Sequence, residues 1–248
     1  TKRCVGRTLR FTAIKLRAGY AQGYRAPQAF DEDLHIETVG GAALFTRLDP
    51  GLITERSHSY TASVNYTKLL NQWQFNAVAE GFYTYLDNPF ILSDQTELPS
   101  GVGVITKRNG DGLNVQGVNM ELNMAYADKW SGQLGFTAQT TAYARTEEIW
   151  SPEGDSDIAP TTTDVLLRTP DLYGFWSVTY TLTKNWKFNT SGIYTGPMQI
   201  AHVIDPETEY TDLKTTDAFT EINLKASYTL YGKDNYRVEF FLGVQNVL

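Results

Sequence analysis

This 248-residue chain contains few histidines and cysteines, the side chains that most often bind transition metals. It contains three histidines, His35, His58 and His202, and one cysteine, Cys4. A single cysteine excludes an intrachain disulfide and a cysteine-based metal cluster. The sequence shows no serine, histidine and acid in an arrangement typical of nucleophilic catalysis, and no glycine-rich phosphate loop. These features predict that the protein is not an enzyme.

Carboxylates are the other groups that could bind a cation. The clusters Asp31-Glu32-Asp33 and Asp155-Ser156-Asp157 supply the oxygen ligands that Ca²⁺ prefers, but they lack the glycine and glutamate spacing of an EF-hand loop. Met198 and His202 are soft and borderline metal ligands within one connection. The same residues also fit solvated loops, so the sequence leaves open whether calcium or any other metal binds.

The excess of negative charge is concentrated in two segments. The whole chain has a formal net charge of −7. Residues 145–171 contain seven acids and two arginines, and residues 197–217 contain five acids and one lysine, a combined charge of −9. Acidic surfaces repel nucleic acids and anionic polymers, and they admit a cationic ligand. The sequence therefore predicts that nucleic acid is not a partner.

Apolar and polar residues alternate along most of the chain. Period two is typical of a β-strand, because successive side chains point to opposite faces. One set of alternating residues is predicted to face lipid: Val118, Met120, Trp186, Ile222, Leu224, Val238, Phe240 and Leu242. The opposite set is predicted to face a wet interior: Glu80, Glu121, Glu221, Lys225, Arg237 and Glu239.

The length of the alternating runs distinguishes two all-β architectures. Runs of about ten residues match a tilted strand that crosses a bilayer, whereas strands in soluble proteins average about five or six residues. Charges at mid-strand also favour a wet interior over the dry core of a soluble sandwich. The chain has no stretch of 18 apolar residues, which excludes a helical membrane protein. The sequence therefore predicts an antiparallel transmembrane β-barrel.

Large aromatic residues recur at one end of the predicted hairpins. Trp73, Trp130 and Trp186 each follow a short polar turn and open a strand, and Tyr236 repeats the arrangement. Tryptophan and tyrosine have an apolar and a polar end, which suits them to the boundary between membrane and water. We therefore expect a belt of aromatic rings on the side of the short turns.

The order of strands and connections fits an outer-membrane barrel. Strands are predicted at 14–22, 57–69, 73–87, 113–127, 131–144, 172–182, 186–196, 218–230 and 235–247, with an extended piece at 102–108 that lengthens a hairpin outside the bilayer. The connections alternate between a few residues and twenty or more, and in such barrels the long loops lie outside the cell. Loops beyond about 15 residues are uncommon unless they have a function. Ligand binding is therefore expected in the long connections.

Both ends of the chain suggest part of a larger barrel. Residues 1–14 alternate poorly and are rich in Lys and Arg, so they are interpreted as a foreign segment or a partial strand. The last run stops at Leu248 without a strand that could close the barrel, and open strand edges are not tolerated in lipid. We expect residues 15–248 to supply about nine or ten strands of a partial barrel.

Several short motifs resemble one family of outer-membrane proteins. Residues 17–28 (RAGYAQGYRAPQ) resemble the strand and FRAP-type motif of TonB-dependent receptors, with Tyr24 in place of phenylalanine, and residues 29–36 (AFDEDLHI) resemble the form in Bacteroidetes members. Further matches follow in the family's order: Glu55–Tyr60, Glu80–Thr84, Gly117–Asn119, Arg168–Asp171, Tyr194–Met198 and Gly243–Leu248. By this resemblance, the chain is identified as the C-terminal barrel part of such a receptor, without its plug and last strand.

The resemblance implies an architecture and a set of partners. It implies a 22-stranded barrel around an amino-terminal plug, in the outer membrane of a Gram-negative bacterium. The implied partners are outer-membrane lipid, the TonB complex through an N-terminal region outside this sequence, and a scarce solute. An iron–siderophore chelate ranks first as solute, and cobalamin and haem follow. A passive porin or structural barrel is the alternative function.

The resemblance also indicates candidate ligand-binding residues. His35 lies in the first long connection, where haem receptors of the family carry an axial histidine, and imidazole is a ligand for iron. Tyr24 and Arg25 lie at the base of this connection, where they either contact the solute or anchor the loop. Asp49-Pro50-Gly51-Leu52 stands where haem receptors have an Asn-Pro-Asn/Asp-Leu stretch, which lowers haem in the ranking. No cofactor is expected.

Overall fold

The computed structural model describes residues 3–10, 13–28, 44–97, 103–152, 158–205, 210–232 and 236–247. Every regular element in these residues is a β-strand, which confirms the predicted all-β class. Within the same residues there is no helix of the length and apolarity needed to span a membrane.

Seventeen strands are formed by the described residues. In chain order they are β1 (Arg3–Arg10), β2 (Ile14–Arg25), β3 (Leu44–Leu48), β4 (Glu55–Leu70), β5 (Trp73–Asp87), β6 (Phe90–Glu97), β7 (Gly103–Asn109), β8 (Leu113–Tyr126), β9 (Trp130–Tyr143), β10 (Glu147–Trp150), β11 (Thr161–Thr163), β12 (Leu172–Thr181), β13 (Trp186–Thr195), β14 (Gln199–Asp205), β15 (Tyr210–Thr215), β16 (Phe219–Tyr231) and β17 (Arg237–Val244).

Ten of these strands form one antiparallel sheet, in the order β1-β2-β4-β5-β8-β9-β12-β13-β16-β17. Each strand pairs with the next long strand of the chain, so the sheet is a simple meander. The prediction of nine or ten strands in one sheet is confirmed. Because β4, β5, β8 and β9 have 14 to 16 residues each, they are far longer than ordinary soluble strands.

Short turns join the long strands at one end of the sheet. Asn71 has a φ of 54° and Ala127 a φ of 45°, the left-handed conformation that reverses a chain within a few residues. The Thr183 hydroxyl accepts hydrogen bonds from the backbone N–H groups of Asn185 (3.2 Å) and Trp186 (3.1 Å), which closes a third turn. The predicted alternation of short and long connections is therefore confirmed.

Three small sheets lie in the long connections at the opposite end. β6 pairs antiparallel with β7, and β3 pairs parallel with β7. β10 pairs with β11, and β14 with β15, as separate hairpins. The extended piece predicted at 102–108 is β7, whereas the other six strands of these connections were not predicted. We name these three small sheets the loop layer. Val104 and Leu113 are the buried apolar side chains of the described residues; Val104 lies in β7 of the loop layer, and Leu113 is the first residue of β8, at the end of the large sheet nearest the long connections.

The N-terminal segment belongs to the sheet as a strand. β1 pairs with β2 over its whole length, from Arg3 opposite Gln22 to Arg10 opposite Lys15. This pairing favours the interpretation of the first residues as a partial strand. β2 also continues to Arg25, three residues beyond its predicted end, so that the FRAP-like motif begins inside a strand.

Candidate ligand-binding face

The strand registers divide the large sheet into two chemically different faces. Residues directly opposite each other in neighbouring strands share a face. Met120 stands opposite Ala79 and Phe136, whereas Glu121 stands opposite Val78 and Gly135. Followed across the sheet, the registers place all eight predicted lipid-facing residues on one face and all six predicted interior charges on the other. We name these the apolar face and the polar face.

The apolar face carries a belt of paired rings at the end with the short turns. The ring centroids of Trp73 and Tyr126 are 4.8 Å apart. Those of Trp130 and Tyr180 are 4.4 Å apart, and those of Trp186 and Tyr228 are 4.8 Å apart. Each pair joins neighbouring strands at nearly the same height. The predicted belt is therefore confirmed for Trp73, Trp130 and Trp186.

A second group of rings lies on the same face toward the long connections. Tyr60 lies between Tyr20 and Tyr83, with centroid distances of 5.0 Å and 6.4 Å. Ten residues separate Trp73 from Tyr83 along β5, a path of about 33 Å at 3.3 Å per residue. At a strand tilt of about 40° the two groups are about 25 Å apart in height, the thickness of the apolar band of a membrane barrel.

An open groove of about 700 Å³ crosses the apolar face between Tyr60, Gly81 and Val118. Small and aromatic residues form most of its lining, Gln116, Gln139 and Asp171 border it toward the long connections, and it contains none of Tyr24, Arg25 and His35. Because most of its lining lies on the apolar face, we do not assign it to the candidate solute site.

The polar face carries hydrogen bonds between side chains of the same strand and of neighbouring strands. Glu121 Oε1 accepts hydrogen bonds from Asn123 Nδ2 (2.7 Å) and Gln133 Nε2 (3.0 Å). Glu80 Oε1 accepts one from Asn119 Nδ2 (3.3 Å). The carboxylates are thus held by neutral amides, as is possible in a water-accessible interior where the charge keeps its hydration.

Aromatic and charged residues meet where β2 and β6 enter the long connections. The Arg25 guanidinium lies 5.4 Å from the centroid of the Phe90 ring, and Lys107 Nζ lies 4.9 Å from the same centroid. The backbone N–H of Phe90 donates a hydrogen bond of 2.8 Å to Glu55 Oε2. Two cations near one ring favour a fixed position for the start of β6.

The short strand β10 connects three long loops. At its start, Glu147 Oε2 pairs with Arg108 Nη2 of β7 at 3.3 Å, and the Glu147 side chain is 11% exposed. At its end, the ring of Trp150 packs edge-on against Tyr210 of β15, with centroids 4.9 Å apart. A second ion pair, between Arg145 and Asp111 (3.3 Å), joins the same two connections as Glu147 and Arg108.

The candidate ligand-binding residues of the sequence occupy different places. Tyr24 lies in β2, is 62% exposed and stands opposite Arg56 on the apolar face. Arg25 points to the polar face and contacts Phe90. His35 lies outside the described residues. The structure thus separates Tyr24 from Arg25, and the role of all three in binding stays a prediction.

The candidate cation sites fall partly outside the described residues. Both acidic clusters, 31–33 and 155–157, lie there. Within the described part of the chain, no group of three or more His, Cys, Asp or Glu residues could hold a metal ion. His202 is exposed and stands opposite Asp212 in the β14–β15 hairpin.

Sequence reasoning missed one group of residues on the polar face. Tyr173, Phe175, Ile193 and Phe219 are 39–53% exposed, and the registers place them together on neighbouring strands. We name these four residues the aromatic patch. Tyr173 and Phe175 lie on the same face of β12 as the polar residues Ser177 and Thr179, since all four are alternate residues of the strand. This alternation would have assigned both rings to the polar face.

Comparison with known families agrees with this arrangement. The family described as TonB dependent receptor-like, beta-barrel, matches residues 8–247. The chain belongs to this family. Because the family comprises transport receptors, the prediction that the protein is not an enzyme is confirmed. No curated protein sequence matches the chain.

Solved TonB-dependent receptors share the fold. The siderophore receptor PirA from Acinetobacter baumannii is 13% identical, with a TM-score of 0.67 over 99% of this chain and 36% of that one. The FrpB iron transporter from Neisseria meningitidis is 14% identical, with a TM-score of 0.64 over 99% and 34%. A mutant of the ferric enterobactin receptor PfeA from Pseudomonas aeruginosa, in complex with enterobactin, is 14% identical, with a TM-score of 0.62 over 99% and 35%. The chain spans about one third of the length of these structures.

Proposed function

We propose that this chain is part of an outer-membrane receptor that imports an iron chelate with energy from the TonB complex. The family match over residues 8–247 carries the proposal. Iron–siderophore is the proposed solute class, because the similar solved structures are named as siderophore or iron receptors. Cobalamin and haem are the alternatives.

The two faces of the sheet support a position in the membrane. The apolar face carries aromatic groups at two heights about 25 Å apart, which fits lipid contact between the two interfaces. The polar face carries Glu80 and Glu121 at mid-strand. Charged groups at that depth require water or a polar body on the inner side. We therefore propose that the apolar face contacts outer-membrane lipid and that the loop layer lies outside the cell.

The ligand-binding residues predicted from the sequence remain part of this proposal. Arg25 and Tyr24 lie at the base of the first long connection, and His35 lies within it. Solutes would arrive from the loop layer and pass along the polar face.

Growth experiments test the proposed transport. A strain that lacks the full-length protein should lose growth on a ferric chelate as sole iron source, and a plasmid copy should restore it. Restoration should fail in a strain without TonB. Growth that is independent of TonB would support the alternative of a passive porin and refute active transport.

A further inference from the structure

The charge of the chain differs sharply between the long connections and the rest. Residues 26–54, 88–112, 144–171 and 196–218 contain twenty acidic and six basic residues by sequence, a net charge of −14. The remaining residues contain eight acidic and fifteen basic residues, a net charge of +7. A solute that approaches from the loop layer therefore meets a negative field, which repels anions and attracts cations.

The aromatic patch lies where this field meets the polar face. Tyr173 and Phe219 both stand opposite Thr195 in the row nearest the loops. Phe175 and Ile193 stand opposite each other in the row next to it, and Glu221 continues that row on β16. Exposed apolar groups among polar neighbours are typical of a surface that binds a partner or ligand.

Carboxylates border the aromatic patch. Asp171 precedes β12, Asp217 precedes β16, and both are exposed. Glu221 accepts a hydrogen bond from Asn223 Nδ2 at 2.8 Å. None of these three acids takes part in an ion pair within the described residues.

The cations of this region are placed elsewhere. Lys225, on the polar face of β16, has its Nζ 4.6 Å from the centroid of the Phe241 ring. Arg168 and Lys214 are the nearest basic residues to the patch along the chain, each five residues from it, and Arg168 adopts a turn conformation with a φ of 57°. The described surroundings of the aromatic patch are thus apolar at the centre and negative at the border.

Elementary charge counting separates the main classes of iron chelate. Three catecholates carry six negative charges, so their complex with Fe³⁺ has a charge of −3. Three hydroxamates carry three negative charges, so their complex is neutral, and a free ammonium group makes it +1.

Resting on the proposed function, we infer that the solute is a neutral or cationic ferric hydroxamate that contacts the aromatic patch, not a trianionic ferric catecholate. The apolar surface of the chelate packs on Tyr173, Phe175 and Phe219. Asp171, Asp217 and Glu221 favour a solute without negative charge and attract an ammonium group.

Binding to the full-length receptor tests this inference. The probes are the ferric complex of a linear tris-hydroxamate with one ammonium group, and ferric enterobactin. At low ionic strength the cationic chelate should bind at least about 10-fold more tightly, and added salt should reduce the ratio because it screens the field. Equal or tighter binding of ferric enterobactin would overturn the inference.

Two double variants test whether the carboxylates beside the aromatic patch determine the preference between the two chelates. Asp171→Lys with Asp217→Lys should shift the affinity ratio toward ferric enterobactin by about 10-fold. Asp164→Lys with Asp212→Lys makes the same change of charge in the same connections but away from the aromatic patch. This control should shift the affinity ratio less. Equal shifts would overturn the role of the patch. Phe175→Ala should weaken hydroxamate binding without changing its salt dependence.

The failure of this inference can be distinguished from failure of the proposed function. If neither probe binds but growth on another iron chelate still needs the receptor and TonB, the chelate class is wrong and the transport proposal stands. If growth on every iron chelate is independent of the receptor, both are wrong.

Discussion

Trp73 and Tyr126 lie beside each other on the apolar face with ring centroids 4.8 Å apart, although 53 residues separate them in the sequence. They pair because each stands at the short-turn end of its strand, and β5 and β8 run antiparallel in register. Trp186 and Tyr228 repeat the geometry across β13 and β16. An aromatic pair contributes about 0.5–1.5 kcal/mol beyond its buried area, so the belt stabilises the register of the sheet.

A charge on the apolar face should destabilise the membrane-inserted receptor. Leu224 lies on this face opposite Thr190 and Val244 and is 47% exposed. Leu224→Arg should lower the free energy of unfolding in lipid vesicles by about 2–4 kcal/mol if the residue lies near the midplane. Ser191→Arg, on the polar face opposite Asn223, is the matched control and should change it by less than about 1 kcal/mol. Similar losses for both variants would contradict the assignment of faces.

Two glycines should respond differently to a methyl group. A Cβ on Gly192 would collide with the Trp176 ring and come within 2.6 Å of the Glu221 carbonyl oxygen. Gly192→Ala should therefore destabilise the receptor by about 1–3 kcal/mol in a urea titration in vesicles. Gly81→Ala should have little effect, since nothing lies within 4 Å of its added Cβ. Equal tolerance of both changes would contradict the packing of Trp176 over Gly192.

The long strands were predictable because lipid and water impose a constraint on every residue. A strand that crosses a bilayer must alternate over about ten residues, and β16 does so from Glu221 to Leu230. The loop strands have no such constraint. β11 has three residues, and its pairing of Thr162 with Glu148 depends on contacts between distant segments.

The site was predictable in part for the same reason. Charged residues such as Glu121 and Lys225 indicate the polar face, because they alternate with apolar residues along their strands. The aromatic patch was missed because β12 has large apolar residues on both faces, Phe175 on one and Trp176 on the other. The ion pair between Glu147 and Arg108 also has no signature in the sequence, since it depends on how two loops pack.

Removal of the buried charge in the loop layer should loosen β10. Glu147→Gln removes the carboxylate that pairs with Arg108. The Glu147 side chain is almost buried, with 11% of its surface exposed. Backbone amides of β10 should lose about 1–2 kcal/mol of protection in hydrogen exchange. Asp111→Asn is the control, because it removes the ion pair with Arg145 in which both side chains are exposed (Arg145 77%, Asp111 52%). It should change the protection of β10 by less than about 0.5 kcal/mol. Unchanged protection in Glu147→Gln would show that Trp150 and Tyr210 suffice to hold the strand.

Substitution of His35 should separate a chelate receptor from a haem receptor. A hexadentate siderophore occupies all six positions of octahedral iron, so imidazole has no site to bind, whereas haem leaves an axial position open. In the full-length receptor, His35→Ala should therefore leave the affinity for a ferric hydroxamate within about threefold of the original. His58→Ala, at a histidine of β4 that bonds the Tyr20 hydroxyl at 2.8 Å, is the control for loss of any histidine. Haem binding that depends on His35, together with absent chelate binding, would favour haem as the solute and contradict the ranking of an iron chelate first.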